Sequence, residues 1–183
     1  MSGNLSEDRP HTYPLIDSSK FSGSLKGQVA LVTGAGRGIG RAIALAFAHA
    51  GANVVCLART THEIREVVDL IALETTTEAL GISADISRDD DIQDAIQRIK
   101  KRFCRVDIIV NNAGIDRIGA FEHETDFKAW WHVLEVNLRG PMALIYQVLP
   151  DMLCRNHGVI ISIGSRNACF QNGIIEGSPM FGH

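Results

Sequence analysis

Several features that would quickly assign a function are missing from this sequence. Its four cysteines, Cys56, Cys104, Cys154 and Cys169, form no CxxC pair and have no histidine at ligand spacing. That argues against a zinc site and against a disulfide framework, so reduced thiols and no metal are expected. Basic charge is not in excess either: 18 Lys and Arg stand against 21 Asp and Glu, for a net charge of −3. No field is available to hold nucleic acid or an anionic membrane surface, and neither is expected as a partner. Gly, Asn or charge breaks each apolar run within about ten residues, well short of a membrane span. The opening stretch MSGNLSEDRPHTYPLIDSSK mixes acids, a base and prolines where a secretory signal requires a continuous apolar core. The cytoplasm is the expected location. Internal repeats and low-complexity tracts are absent too.

What remains is the composition of an ordinary globular protein, 45% hydrophobic and 21% charged over 183 residues, a length that suits one domain. Residues 1–25 are polar and without period and read as a flexible arm. From there to residue 165 short β-branched runs alternate with helical patterns. Strands are expected at 28–33 (QVALVT), 53–58 (NVVCLA), 79–84, 106–111 (VDIIVN) and 158–163 (GVIISI). Between them, helical spacing recurs in Ile39, Ile43 and Phe47 with Ala42, Ala46 and Ala50 beside them, closed by Gly51. Further helices are expected at 61–73, at 89–103 with Ile92, Ile96, Ile99 and Phe103 on one side, at 124–136 and at 139–155. This alternation predicts right-handed βαβ crossovers, and so an α/β fold, a Rossmann-like doubly wound parallel sheet covered by helices on both faces. Helix 139–155 is apolar on more than one side: Met142, Ile145, Leu149 and Met152 form one stripe, with Leu144 and Val148 beside it. Deep burial in its own domain or a subunit interface would each account for that. Residues 166–183 lose all period and read as an irregular tail.

The string Thr33-Gly34-Ala35-Gly36-Arg37-Gly38-Ile39-Gly40 lies between the first strand and the first helix. Glycines there let the chain turn sharply and let backbone approach a pyrophosphate, while the helix N-terminus offers free N–H groups and a positive dipole end. A glycine string alone is weak evidence, but four more segments follow in order. TGAGRGIG, Asp85-Ile86 after the third strand, Asn111-Asn112-Ala113-Gly114 after the fourth, Val136-Asn137-Leu138, and Gly158 to Ser165 together resemble the short-chain dehydrogenase/reductase family over residues 27–165. The resemblance implies an NAD(P)-dependent oxidoreductase that passes hydride between nicotinamide and a carbonyl or alcohol carbon. It implies cofactor contacts at Gly34, Arg37, Gly38, Ile39, Gly40, Asp85, Ile86, Asn111, Ala113 and Gly114. Asn137 would serve the proton relay and Ser165 would hold the substrate oxygen. Charge argues for NADP over NAD. The second strand ends Leu57-Ala58-Arg59 with no acid to take a ribose 2′-hydroxyl, and Arg37 and Arg59 can grip a 2′-phosphate.

The family's proton-transfer pair, a Tyr followed four residues later by a Lys, is expected about a dozen residues after Ser165. The only tyrosines are Tyr13 and Tyr146, and the last lysine is Lys128. The family pattern holds to about Asn167 and then changes abruptly. The expectation is therefore a truncated form without that pair, its C-terminal strands missing and its fifth strand left as a hydrophobic edge. The alternative is a catalytically inactive NADP-binding or interaction protein. Either could form a homo-oligomer through the helices near 124–155, and the substrate is unknown.

Overall fold

The computed structural model describes residues 18–117 and 123–164. Five strands, β1 (Val29–Thr33), β2 (Asn53–Ala58), β3 (Ala79–Ser83), β4 (Ile108–Asn111) and β5 (Val159–Ser162), form one sheet in the order β3-β2-β1-β4-β5, every pair parallel. β1 lies in the middle, with Leu31 paired to Val55 on one side and Ile109 on the other. All five of its residues are buried, as a strand covered on both faces requires.

The alternation of side chains along a strand divides the core in two. Val29, Leu31, Val55, Leu57 and Ile109 point to one face, where Ile92, Ile96 and Ile99 of α3 (Asp89–Phe103) and Leu144 and Val148 of α5 (Gly140–Cys154) meet them. Ala30, Val32, Val54, Cys56 and Val110 point to the other, under α1 (Gly38–His49) and α2 (Thr61–Glu74). Burial of each Leu, Ile or Val in these layers stabilises the fold by about 2 kcal/mol. Cys56 belongs to the second layer, and burial pushes its thiol up to about 12, so it is a protonated, inert hydrophobe.

One expected helix face is rotated in the structure, and the two apolar sides of another are resolved. In α1, Ile39 is 64% exposed and Ile43 and Phe47 are only partly covered; Gly40, Ala44 and Ala48 face the sheet. The reason is proximity. A Cβ on residue 40 would collide with the carbonyl oxygen of Gly34, so only the smallest residues can line the contact. In α5 the buried stripe is Leu144, Val148 and Met152, while Met142, Tyr146, Leu149 and Leu153 are exposed. The helix expected at 124–136 is shorter: α4 runs Phe127–Leu134, capped by the Asp126 carboxylate accepting from Ala129 N–H at 3.0 Å. It passes into α5 through a π-helical turn, Glu135–Arg139. At the sheet's β5 side, Val159, Ile160 and Ile161 are each more than a third exposed. Residues 18–25, read as the end of an arm, include a 3-10 turn at Ser18–Phe21, and Leu25 N–H donates to Ala50 O at 2.9 Å.

Asp107, wholly buried just ahead of β4, joins three strands at their N-terminal ends. Its carboxylate accepts from Val29 N–H at 3.0 Å and from Arg105 at 2.6 and 2.8 Å, its own N–H donates to Val29 O, and its carbonyl accepts from Val159 N–H. Replacement by Ala strands the Val29 amide and removes the acid between Arg105 and Arg155. Asp107→Ala should lower unfolding free energy by about 3 kcal/mol, read as a lower urea midpoint at pH 7.

Candidate functional site

The site grows from the C-terminal ends of β1 and β4, where the chain departs in opposite directions and leaves a crevice. β1 ends at Thr33, and Gly34 turns the chain with a φ of +65°, a left-handed conformation that disfavours other residues. The turn is held from below by the segment after β4. Thr33 Oγ1 donates to Val110 O and accepts from the N–H groups of Asn112 and Ala113, both at 3.0 Å. Asn112 Nδ2 donates to Thr33 O at 2.9 Å and reaches Gly34 O at 3.4 Å. Above this latch α1 begins. Its N-cap, Arg37, is extended and places no side-chain acceptor on the first turn. The leading amides of α1 therefore point outward without intrahelical partners, at the positive end of the helix dipole.

These elements enclose a cavity of about 460 Å³. The loop contributes Gly34, Arg37, Gly38, Ile39 and Gly40, the residue after β2 is Arg59, and the segment after β3 contributes Asp85 and Ile86. Ala113 and Gly114 close the side next to β4. Ten of the expected contact residues thus meet around one space. Asn111 does not: its side chain turns into the sheet, with Nδ2 3.5 Å from Ser162 Oγ, and its neighbour Asn112 lines the cavity in its stead. Thr60 and Glu63 of the α2 N-terminal region also line it, and neither was singled out from the sequence. Ser165 lies outside the described residues.

The electrostatics at the two ends of the cavity differ. Burial raises the affinity of the Asp85 carboxyl for its proton, but the N–H and hydroxyl of Ser87, together with Arg59 and His132, outweigh it and hold the group below its ordinary value. Asp85 Oδ1 accepts both Ser87 bonds, at 2.9 and 2.7 Å, and its backbone N–H donates to Asp91 at 2.8 Å. The acid is thus fixed, ionised and rimmed by donors. Arg37 and Arg59 are exposed, and neither guanidinium makes a hydrogen bond or salt bridge with a described residue.

Asn137 sits in the π-helical turn, nearly buried, and its amide spans the backbone of Ile115: Oδ1 accepts Ile115 N–H at 2.9 Å and Nδ2 donates to Ile115 O at 2.8 Å. It pins the segment that follows Gly114 to the α4–α5 helix, so its side chain is placed here as a positioning group. Trp130 stacks on Phe127 at a centroid distance of 5.8 Å and Trp131 lies tilted to it at 6.1 Å, neither lining the cavity.

The short chain dehydrogenase family matches residues 28–178, and the chain belongs to it. It is 41% identical over 155 residues to a short chain dehydrogenase of Pseudocercospora fijiensis, covering 84% of this chain and 50% of that protein. It is 35% identical over 150 residues to a 3-oxoacyl-acyl-carrier-protein reductase of Escherichia coli, covering 82% and 59%. The fold matches the crystal structure of a metagenomic short-chain oxidoreductase in complex with NADP, at a TM-score of 0.79 and 36% identity over 85% of this chain and 69% of that one. The chain thus spans about half the length of the curated relatives it matches. The family binds a nicotinamide cofactor. Among the described residues no helix is long and apolar enough to cross a membrane, and no cluster of His, Cys, Asp or Glu could hold a metal.

Between β4 and α4 the Arg117 guanidinium donates to Glu124 at 2.7 Å. That bond, with a second from the Asp126 N–H, holds the Glu124 carboxyl at about 2, against an ordinary 4.5. A depressed carboxylate contributes stability that is complete above its unfolded value and is lost as pH falls through its folded value. The urea midpoints of the wild type and Glu124→Gln should therefore differ at pH 6, wild type higher, and converge as pH falls from 4.5 toward 2.

Proposed function

We propose that the cavity above the β1–α1 turn binds NADP in preference to NAD. The chain would then be the cofactor-binding part of an oxidoreductase that moves hydride between nicotinamide and a small carbonyl or alcohol. One observation carries the preference: two guanidinium groups that make no hydrogen bond or salt bridge with a described residue, Arg37 and Arg59, open onto the same cavity, and no acid closes β2. Arg grips phosphate bidentately, while a ribose 2′-hydroxyl is usually held by an acid at that strand end. The residues fit a dinucleotide on a second count. A Cβ built on Gly38 would meet nothing within 4 Å, so backbone alone floors the cavity there and the α1 amides are open to a pyrophosphate.

Each group has a task in this reading. The amides of residues 38–40 bind the pyrophosphate, Asp85 and Ile86 take the adenine, Ala113 and Gly114 bound the nicotinamide side, Asn137 fixes that wall through Ile115, and Ser165 holds the substrate oxygen. The cofactor, when bound, supplies or accepts the hydride. A second reading, a catalytically inactive NADP-binding or interaction protein, is favoured by one fact: no tyrosine follows Tyr146 and no lysine follows Lys128 in the 183 residues. The two readings part on turnover. NADPH oxidation by the purified chain over a panel of ketones would exclude the inactive form.

The cofactor assignment is tested by titration calorimetry. Wild type should bind NADPH more tightly than NADH, and Arg37→Ala with Arg59→Ala should weaken NADPH by about 100-fold, at about 1.5 kcal/mol for each charged bond, with little change for NADH. No heat from either dinucleotide on folded protein would overturn it.

The outward stripe of α5 supports a homo-oligomer. Tyr146 is 78% exposed, with Met142, Leu149 and Leu153 beside it, an apolar surface of the kind that marks an interface. Wild type should sediment as a dimer or larger, and Tyr146→Asp should shift it toward monomer.

A further inference from the structure

Thr60 and Glu63 stand at the spacing of a helix capping box, in which the Thr side chain caps the first turn and the Glu side chain reaches back to the Thr N–H. The structure does not form it. Thr60, the N-cap of α2, makes no side-chain cap bond, and Glu63 makes no hydrogen bond or ion pair with any described residue. Its carboxylate lies instead against the glycine loop. A Cβ built on Gly36 would stand 2.9 Å from Glu63 Oε2 and 2.9 Å from its Cβ, and Glu63 lines the same cavity as Arg37 and Arg59. An acid forgoes its local helix partner and sits, half-buried, at the cavity end where β2 delivers no acid.

We propose that Glu63 is a cofactor-discriminating residue that favours the ribose 2′-hydroxyl of NAD(H) and opposes the 2′-phosphate of NADP(H). The inference rests on the cofactor reading above and refines it: the two arginines set the preference for NADP and Glu63 limits it. A carboxylate accepts a hydrogen bond from a hydroxyl but repels a phosphate. The unformed capping box gives Glu63 somewhere to go, since swinging back toward Thr60 removes its charge from the loop and completes the first turn of α2. NADP binding would thus drive the carboxylate out of the cavity, and NAD binding would keep it there.

Glu63→Gln tests this on the full chain without harming the helix, because Gln serves the same capping position. Far-ultraviolet circular dichroism and the urea midpoint confirm that the variant is folded, and calorimetry measures both dinucleotides. With one negative charge removed, the NADPH Kd should fall about fivefold. The NADH Kd should rise about threefold as a charged acceptor becomes neutral. If both dinucleotides bind and the ratio of their Kd values moves by less than about twofold, Glu63 has no part in discrimination and this inference fails while the cofactor assignment stands. If the wild type binds neither, both fall together.

Discussion

Two backbone carbonyls and one side-chain amide hold the site together. Thr33 O and Gly34 O both face Asn112 Nδ2, and Thr33 Oγ1 gathers the amides of Asn112 and Ala113. This latch ties the end of β1 to the end of β4 and sets how near α1 can come. Because α1 comes so near, residue 40 can carry no side chain and residues 44 and 48 are alanine. The first-turn amides are thereby aimed over the crevice. The expected residues of the loop meet those following β3 and β4 because of this one clasp.

The sheet was legible because buried parallel strands announce themselves. The β-branched runs at 29–33, 53–58 and 108–111 can be satisfied only by cover on both faces, and the alternation with helices leaves few topologies. The strand ends and α3 were read closely because their signals are local: three aspartates open α3, two lysines and an arginine close it, and Cys104 stops it in a left-handed conformation. The face of α1 was misjudged for one reason. Apolar size marks a buried stripe only where there is room for bulk, and the α1 contact rewards smallness.

The site was legible where a motif implies a backbone shape and less so where neighbours diverge. Asn111 and Asn112 are adjacent, yet one belongs to the pleat of β4 and the other has left it, so they face different ways and only the second lines the cavity. Glu63 was hidden by its own plausibility as a helix-start residue. The joining of Asp107 to β1, β4 and β5, and the clamp of Asn137 on Ile115, depend on contacts between residues 22 to 78 positions apart, and no local pattern encodes them.

The π-helical turn has a consequence for the helix that follows it. One additional residue in a turn rotates everything beyond it by about 100° around the axis. Leu144, Val148 and Met152 meet the sheet, and Tyr146 faces away, in the phase set by that insertion. The same local widening that brings Asn137 to Ile115 thus also chooses which flank of the downstream helix is offered to the outside. Cavity-side geometry and outer-surface chemistry share a single rotational setting.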